Sequence, residues 1–195
     1  MIPHSKPTIG QEELSAVARV LSSGQISQGK SVTDFERQFA QFFNLKNAAA
    51  VNSGTSALHL ALIAVGVKTG DEVIIPSFVC TALLNAINYI GAVPVIADIN
   101  EEDFNLSLGD TKKRITKKTK AIIIPHMFGT PCQETIRFKE TGIPIIEDCA
   151  QSIGSKIGGK YVGTIGDVSI FSFYATKVIT TGEGGMAASN SLELI

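Results

Sequence analysis

Lys177 is one of three places in this chain where residue types and spacing could do chemistry. It closes the aromatic and β-branched run VSIFSFYATK (168–177) and is followed by the glycine-rich TTGEGG (180–185). Such a run is typical of a buried strand that leads into a turn. Burial disfavours the charged form of a lysine, and an uncharged amine forms a Schiff base with a carbonyl. On position alone, a lysine that reaches solvent is the open alternative.

A second motif, VNSGTSALHLAL (51–62), joins a predicted strand to a predicted helix. Gly54 allows a ligand to approach the backbone closely, and the free N–H groups of a helix start favour phosphate. The hydroxyls of Thr55 and Ser56 can add donors. Capping of the helix by Ser53 or Thr55 would explain the same residues without a ligand.

The third motif, IIEDCAQSIG (145–154), places Asp148 at the carboxyl end of an apolar strand. A partly buried carboxylate needs a cationic or hydrogen-bonding partner. A pyridine nitrogen would serve, because a nearby carboxylate keeps it protonated. Gln151 could donate a hydrogen bond to a ring oxygen. An aspartate that caps the next turn is the alternative interpretation.

Together the three motifs predict a site for pyridoxal phosphate. This cofactor needs a seat for its phosphate, a carboxylate for its ring nitrogen and a lysine for its aldehyde. Asp148 would strengthen the ring as an electron sink, and Lys177 would hold the aldehyde and later move protons. We therefore expect Lys177 and Asp148 to be the catalytic residues.

The elements that must position these residues alternate along the chain. Helices are predicted over residues 11–22, 31–43, 52–65, 79–90 and 132–140, and strands over 47–51, 72–76, 92–99, 121–125 and 143–148. Alternation indicates βαβ units, and nearly continuous apolar strands indicate helices on both faces of a mostly parallel sheet. Ligands of such α/β folds bind beyond the carboxyl ends of the strands, where all three motifs lie.

Composition narrows the classes of protein that fit. The chain has 195 residues, 44% hydrophobic and 18% charged, with a net charge of −1, as in an ordinary soluble globular protein. The basic stretch KKRITKKTK (112–120) lacks aromatic residues that could stack bases, so a solvated helix end is favoured over a nucleic-acid site. The N-terminal MIPHSKPTIGQEE has no apolar core for a signal peptide, and no apolar run is long enough for a membrane span. Three widely spaced cysteines predict no disulfide framework or zinc site and favour a reducing compartment, the cytoplasm.

The chain resembles the DegT-type aminotransferases, which act on keto-sugars attached to nucleotides and belong to the fold-type I pyridoxal phosphate enzymes. The matching segments are GQISQGKSVTDFERQFAQFF, VNSGTSALHLAL, GDEVIIPSFVCTALLNAI, GAVPVIADI, IIEDCAQSIG and GDVSIFSFYATKVITTGEGG. The resemblance implies a three-layer α/β/α large domain, like that of aspartate aminotransferase, with a mostly parallel mixed sheet over residues 1–195. Its N-terminal helices would span 11–43, and the family's C-terminal small domain is absent from this chain.

The resemblance also implies roles for matching residues. Lys177 would carry the cofactor, Asp148 would pair with the pyridine nitrogen and Gln151 would touch the ring hydroxyl. The phosphate would be held by Thr55, Ser56 and Ser172, the last of which could instead bond the backbone.

Two positions are less clear from the resemblance. Cys80 stands where family members often have an aromatic residue stacked on the cofactor. Its sulfur would make a softer contact with the ring, with Phe78 or another side chain compensating. Alternatively, Cys80 would be a buried apolar residue of the core. His126 lies where the family's cofactor cleft is lined, and a structural histidine is at least as plausible there as a catalytic one.

The predicted activity is transfer of an amino group from an amino acid, by family analogy glutamate, to a nucleotide-linked keto-sugar. A homodimer is expected, because the family's site lies between subunits. A sugar dehydratase of the same fold would carry histidine in place of Lys177, and a Rossmann-type binder needs a GxGxxG that residues 52–57 lack. The remaining alternative is a truncated, non-catalytic module that binds the cofactor.

Overall fold

The protein is described by a computed structural model over residues 5–195 and is built around a seven-stranded sheet. The strands of this sheet are β1 (Asn47–Val51), β2 (Glu72–Pro76), β3 (Val93–Ala97), β4 (Thr119–Pro125), β5 (Ile145–Asp148), β8 (Val168–Ser172) and β9 (Gly185–Ser189), and a separate hairpin is formed by β6 (Lys156–Ile157) and β7 (Lys160–Tyr161). The helices are α1 (Gln11–Ser23), α2 (Lys30–Phe43), α3 (Gly54–Ala64), α4 (Ala82–Ile90), α5 (Leu108–Arg114) and α6 (Thr135–Phe138). Residues 1–4, which begin the segment considered for a signal peptide, lie outside the described residues.

The strand order across the sheet is β1-β9-β8-β5-β4-β2-β3. Strands β3, β2, β4, β5 and β8 pair in parallel, whereas β9 is antiparallel to both of its neighbours, β8 and β1. The predicted mostly parallel mixed sheet is therefore confirmed. The parallel strands all end at one edge, where the connections that follow them come together.

Helices cover both faces of this sheet. Because strand side chains alternate between faces, Val73 and Ile75 of β2 pack with Leu58 of α3 on one side. Ile74, between them, packs with Phe138 of α6 on the other side. The arrangement has three layers, as predicted, with the apolar core divided between the two sides of the sheet.

Aromatic rings hold α2 against the last two strands. Phe39 and Phe43 are buried on the inner face of α2, and their ring centroids lie 4.8 Å and 5.4 Å from that of Phe171 on β8. Phe173, immediately after β8, joins the same cluster. The phenylalanine spacing in α2 thus fixes the part of the chain that leads to Lys177.

The strand expected to run to Lys177 ends earlier, at Ser172. The backbone of Phe173 pairs with Gly184 and Thr181, so the chain loops out and returns as β9. Lys177 sits in that loop, its N–H donating to the carbonyl of Tyr174 at 2.9 Å. The prediction of a lysine at the buried end of a strand is wrong in this detail, since Lys177 is half-buried in a turn.

Two further elements differ from the sequence prediction. Strand β9, Gly-Met-Ala-Ala-Ser, was not predicted, because glycine and alanine are poor strand formers, yet all five residues are buried in the sheet. The helix expected over 132–140 is a single turn, α6, followed by a 3₁₀ turn at Lys139–Thr141. No helix within residues 5–195 combines the length and apolar content needed to cross a membrane.

We expect Gly185→Ala to lower the free energy of unfolding by about 2 kcal/mol or more, as overpacking of a rigid site does. A Cβ at Gly185 would lie 2.7 Å from the amide nitrogen of Gly54, where only backbone could yield. Urea unfolding of the two chains measures the change. Gly109→Ala, which adds the same methyl group in α5 with its nearest neighbour 3.8 Å away, is the control and should be neutral or slightly stabilising. Equal effects of the two substitutions would contradict the argument.

Candidate active site

A cleft of about 290 Å³ opens at the carboxyl edge of the parallel strands. It lies where β4, β5 and β8 end and where α3 begins, as the rule for α/β sheets predicts. All the predicted site residues except Ser56 line it: Gly54, Thr55, Cys80, Asp148, Gln151, Ser172 and Lys177. The fold thus brings together residues that are up to 123 positions apart in the chain, from Gly54 to Lys177 (177 − 54).

The start of α3 offers unused amides to this cleft. Ser53 caps the helix by accepting the Ser56 N–H at 3.1 Å, and the Ser56 hydroxyl donates to Asn52 at 2.6 Å. Ser56 therefore belongs to the cap and not to the cleft lining. Across residues 5–195, no protein acceptor pairs with the N–H groups of Gly54 and Thr55. A helix start with free amides favours an anion.

Gly54 and Ser172 make a close approach at the wall of the cleft. A Cβ on Gly54 would lie 2.8 Å from the Cβ of Ser172, so a side chain there would displace the serine. The Ser172 oxygen accepts the Tyr174 N–H at a long 3.4 Å, which leaves the hydroxyl proton free to donate. Glycine at position 54 is thus what lets β8 present its serine beside the helix start.

Asp148 is the last residue of β5 and is buried at the base of the cleft. Its Oδ1 accepts the Ala150 N–H at 2.9 Å, as the turn-capping interpretation predicts, and the same residue lines the cleft. Burial raises the pKa of Asp148, and this effect outweighs the opposing influence of the Ala150 N–H, of His126 and of Lys177. A cation bound beside Asp148 would offset the desolvation of its carboxylate.

The carboxamide of Gln151 is oriented by the backbone. The Phe128 N–H donates to its Oε1 at 3.1 Å, so its nitrogen remains available as a donor. Gln151 lines the cleft together with Asp148 and Lys177. The hydrogen bond from Gln151 to a ligand stays a prediction, and its nitrogen is free to make it.

Cys80 is exposed and lines the cleft, so the interpretation as a buried core residue is wrong. Phe78 does not take the place of the aromatic residue expected there. It lies outside the cleft lining, with its ring centroid 5.8 Å from that of Phe104 and 6.1 Å from that of Phe128. The wall of the cleft at Cys80 is formed by a thiol with the neighbouring Val79.

His126 and Glu147 form a buried pair beside the cleft, and only His126 was considered from the sequence. His126 lines the cleft, and its Nε2 lies 3.0 Å from Oε2 of Glu147, the residue before Asp148. Glu147 was not singled out from the sequence, although a glutamate inside the apolar strand IIED signals a buried acid that needs partners. Within residues 5–195 no cluster of three or more histidine, cysteine or acidic side chains could hold a metal ion.

The three-layer fold, with a lysine and an aspartate in one cleft at a helix start, is the arrangement that the sequence led us to expect for a fold-type I aminotransferase. Residues 7–195 match the DegT/DnrJ/EryC1/StrS aminotransferase family, and the chain belongs to this family. The predicted resemblance is thereby confirmed. Catalytic and binding roles of individual residues stay predictions.

Relatives within the family extend this result. The chain is 46% identical to a GDP-perosamine synthase from Vibrio cholerae over 195 residues, 98% of this chain and 53% of the relative. A Streptococcus pneumoniae protein described as a sugar aminotransferase, Spr1654, is 33% identical with a TM-score of 0.94, and the match covers 100% of this chain and 54% of that one. A GDP-4-keto-6-deoxymannose-3-dehydratase with a trapped PLP-glutamate geminal diamine is 30% identical with a TM-score of 0.91, covering 97% and 51%.

The relatives also give information on the cofactor of the family and on how much of a family member this chain represents. Spr1654 is known in PLP and PMP forms, which agrees with the predicted cofactor for the family. The chain spans about half the length of the relatives it matches. Aminotransferases and a dehydratase share this fold, so the fold alone does not separate the two activities.

Asp148→Asn should stabilise the chain without cofactor at neutral pH, because the folded state then no longer buries a charge. The folded pKa is raised, so the folded state binds the proton more tightly, and the cost of Asp148 appears as pH rises from the unfolded pKa through the folded pKa. The gain in urea midpoint should accordingly vanish below about pH 4, where the carboxyl group is protonated in both states.

The matched control for this prediction is Asp71→Asn. Asp71 also accepts a backbone N–H, from Lys68 at 2.8 Å, but it is only partly buried and away from the cleft. It should bring no gain in stability at neutral pH. A lower urea midpoint for Asp148→Asn at pH 7 would show that the buried charge is already compensated by the protein.

Proposed function

We propose that this chain is the cofactor-binding part of a pyridoxal phosphate-dependent aminotransferase that moves an amino group from glutamate to a nucleotide-linked keto-sugar. The observation that carries the proposal is that Lys177, Asp148 and the free amides at the start of α3 line one cleft. An amine, a carboxylate and an anion seat are the three protein groups that this cofactor requires.

The residues present fit the cofactor's three ends. The N–H groups of Gly54 and Thr55, with the hydroxyls of Thr55 and Ser172, would hold the phosphate at the positive end of α3. Asp148 would face the ring nitrogen, and a protonated nitrogen would supply the cation that its buried carboxylate lacks. The nitrogen of Gln151 would donate to the ring hydroxyl.

Pyridoxal phosphate, when bound, supplies a conjugated electron sink that stabilises negative charge on a substrate carbon. Lys177 would hold the cofactor covalently between turnovers. Once released, its Nζ would take the proton from Cα of the amino-acid donor and deliver it to the carbon that was the cofactor's aldehyde carbon. The loop position of Lys177 suits both tasks, because a half-buried residue outside the strand can change its side-chain position.

The choice between amine transfer and dehydration rests on Lys177. By the family resemblance, the dehydratases carry histidine at this position. GDP-perosamine synthase, by its name, makes an amino sugar linked to a nucleotide, and the dehydratase relative was trapped with glutamate, which supports the proposed substrate class and donor. We infer the same substrate class for the protein to which this chain corresponds.

A homodimer and a cytoplasmic location are part of the proposal. Helix α1 buries no residue although Leu14, Val17 and Leu21 share one face of it, and Leu60 and Ile63 of α3 are exposed as well. Apolar surface of this kind favours association. Sedimentation at micromolar concentration should show a dimer, and a monomer alone would contradict this part of the proposal.

Lys177→Ala should abolish covalent attachment of pyridoxal phosphate. Borohydride reduction of the wild-type chain with the cofactor should label Lys177, located by peptide mass spectrometry, and the variant should carry no label. Lys160→Ala, at an exposed lysine of the small hairpin, should be labelled like the wild type. A label on another lysine of the wild type would refute the assignment.

Transamination separates the enzyme from a non-catalytic cofactor-binding module. With glutamate and a nucleotide-linked keto-sugar, we expect turnover that Lys177→Ala lowers by roughly 10²–10⁴-fold, the usual worth of a general acid–base. If the unreduced wild-type chain holds the cofactor on Lys177 but shows no half-reaction with glutamate, the non-catalytic alternative holds for this chain.

A further inference from the structure

Glu147 and His126 form a fully buried, hydrogen-bonded pair beside the cleft, with both side chains 0% exposed. Glu147 accepts four hydrogen bonds: from His126 at 3.0 Å, from Gly163 at 3.0 Å, from Ile165 at 2.8 Å and from Gly166 at 2.6 Å. Burial alone would raise the pKa of Glu147, but the bonds from His126, Gly166 and Gly163 bring it below its ordinary value. The carboxylate is therefore kept charged in the core.

The hydrogen bonds of His126 define its tautomer. The backbone N–H of Cys132 donates to Nδ1 at 3.1 Å, so Nδ1 carries the lone pair. The imidazole proton then lies on Nε2 and is donated to Glu147. The ring is held from both sides and is buried, while the residue borders the cleft.

This arrangement reaches the ligand side of the cleft through the loop that follows His126. The His126 N–H donates to the Asp148 carbonyl at 3.1 Å. Two residues later, Phe128 adopts φ = 54°, a left-handed conformation that is costly for an aromatic residue, and its N–H holds Gln151. The bond from Cys132 to His126 closes the loop on its far side.

We propose that Glu147 and His126 are positioning residues for the cofactor site: Glu147 fixes the orientation of His126, and His126 holds the 126–132 loop in the conformation that directs Gln151 into the cleft. Core filling does not account for the pair, because apolar residues of similar volume would fill the space without burying a charge. The inference rests on the proposed function for the identity of the ligand, but the orientation of His126 does not.

The first test uses the wild-type chain without cofactor. Nitrogen-15 NMR of labelled histidine, with His126 assigned by its loss in His126→Gln, should show a single tautomer protonated at Nε2. A tautomer protonated at Nδ1, or exchange between the two, would overturn the proposal. This result is independent of whether the chain binds pyridoxal phosphate.

The second test compares two glutamate-to-glutamine substitutions. Glu147→Gln should weaken pyridoxal phosphate binding by about tenfold or more, because the loosened 126–132 loop would no longer hold Gln151 for its hydrogen bond to the cofactor. The absorption maximum of the bound cofactor should shift as well. The control is Glu72→Gln. Glu72 is the first residue of β2, at the edge of the sheet away from the cleft, and its carboxylate accepts a hydrogen bond from Thr116 at 2.5 Å. This substitution should leave the affinity for the cofactor and the spectrum unchanged.

A purely structural role predicts a different result. Folded Glu147→Gln would then be less stable but would bind the cofactor with unchanged affinity and spectrum, which would overturn the proposal. If that variant does not fold, His126→Gln takes its place, since glutamine can still donate to Glu147 but no longer accepts the Cys132 N–H. Unchanged binding by His126→Gln would be equally decisive. Failure of the wild-type chain to bind pyridoxal phosphate would instead count against the proposed function.

Discussion

A carboxylate buried at the end of the central strand β5 is the constraint on which the candidate site depends. Asp148 sits between β4 and β8, in register with Pro125 and Ile170, so strands shield it on both sides. Its pKa is raised by burial, and the Ala150 N–H, His126 and Lys177 offset this rise only in part. A site with this imbalance favours a ligand that brings positive charge.

The candidate site also requires that neighbouring backbone segments approach each other closely, and a glycine makes this possible at two positions. Gly185 lets β9 pass against the turn that starts α3, and Gly54 lets that turn pass against Ser172. These contacts bring the helix start and the end of β8 to one wall, although α3 and β8 are far apart in sequence. An anion bound at this helix start would interact favourably with the free N–H groups of Gly54 and Thr55.

The sequence predicted the layers and most of the site because both follow from local patterns. Short apolar runs that alternate with segments of helical periodicity predict the parallel strands. Ligands of such sheets bind at the carboxyl ends of the strands, and this rule places Asp148, Gln151 and the Gly54 turn together. The exact course of the chain around Lys177 was not predictable, because the backbone partners of Phe173 come from the later residues Thr181 and Gly184. Strand β9 was missed for a related reason, since tertiary contacts override the low strand propensity of Gly-Met-Ala-Ala-Ser.

The adjacent acids Glu147 and Asp148 show how one strand can serve structure and chemistry at once. Successive side chains of a strand point to opposite faces, so the two carboxylates enter different surroundings. Glu147 meets three backbone N–H groups and an imidazole, and its pKa falls, whereas Asp148 receives one N–H and its pKa rises. The first carboxylate is fully satisfied by the protein and can serve as an anchor. The charge of the second is not fully compensated by the protein, and a bound cation would stabilise it.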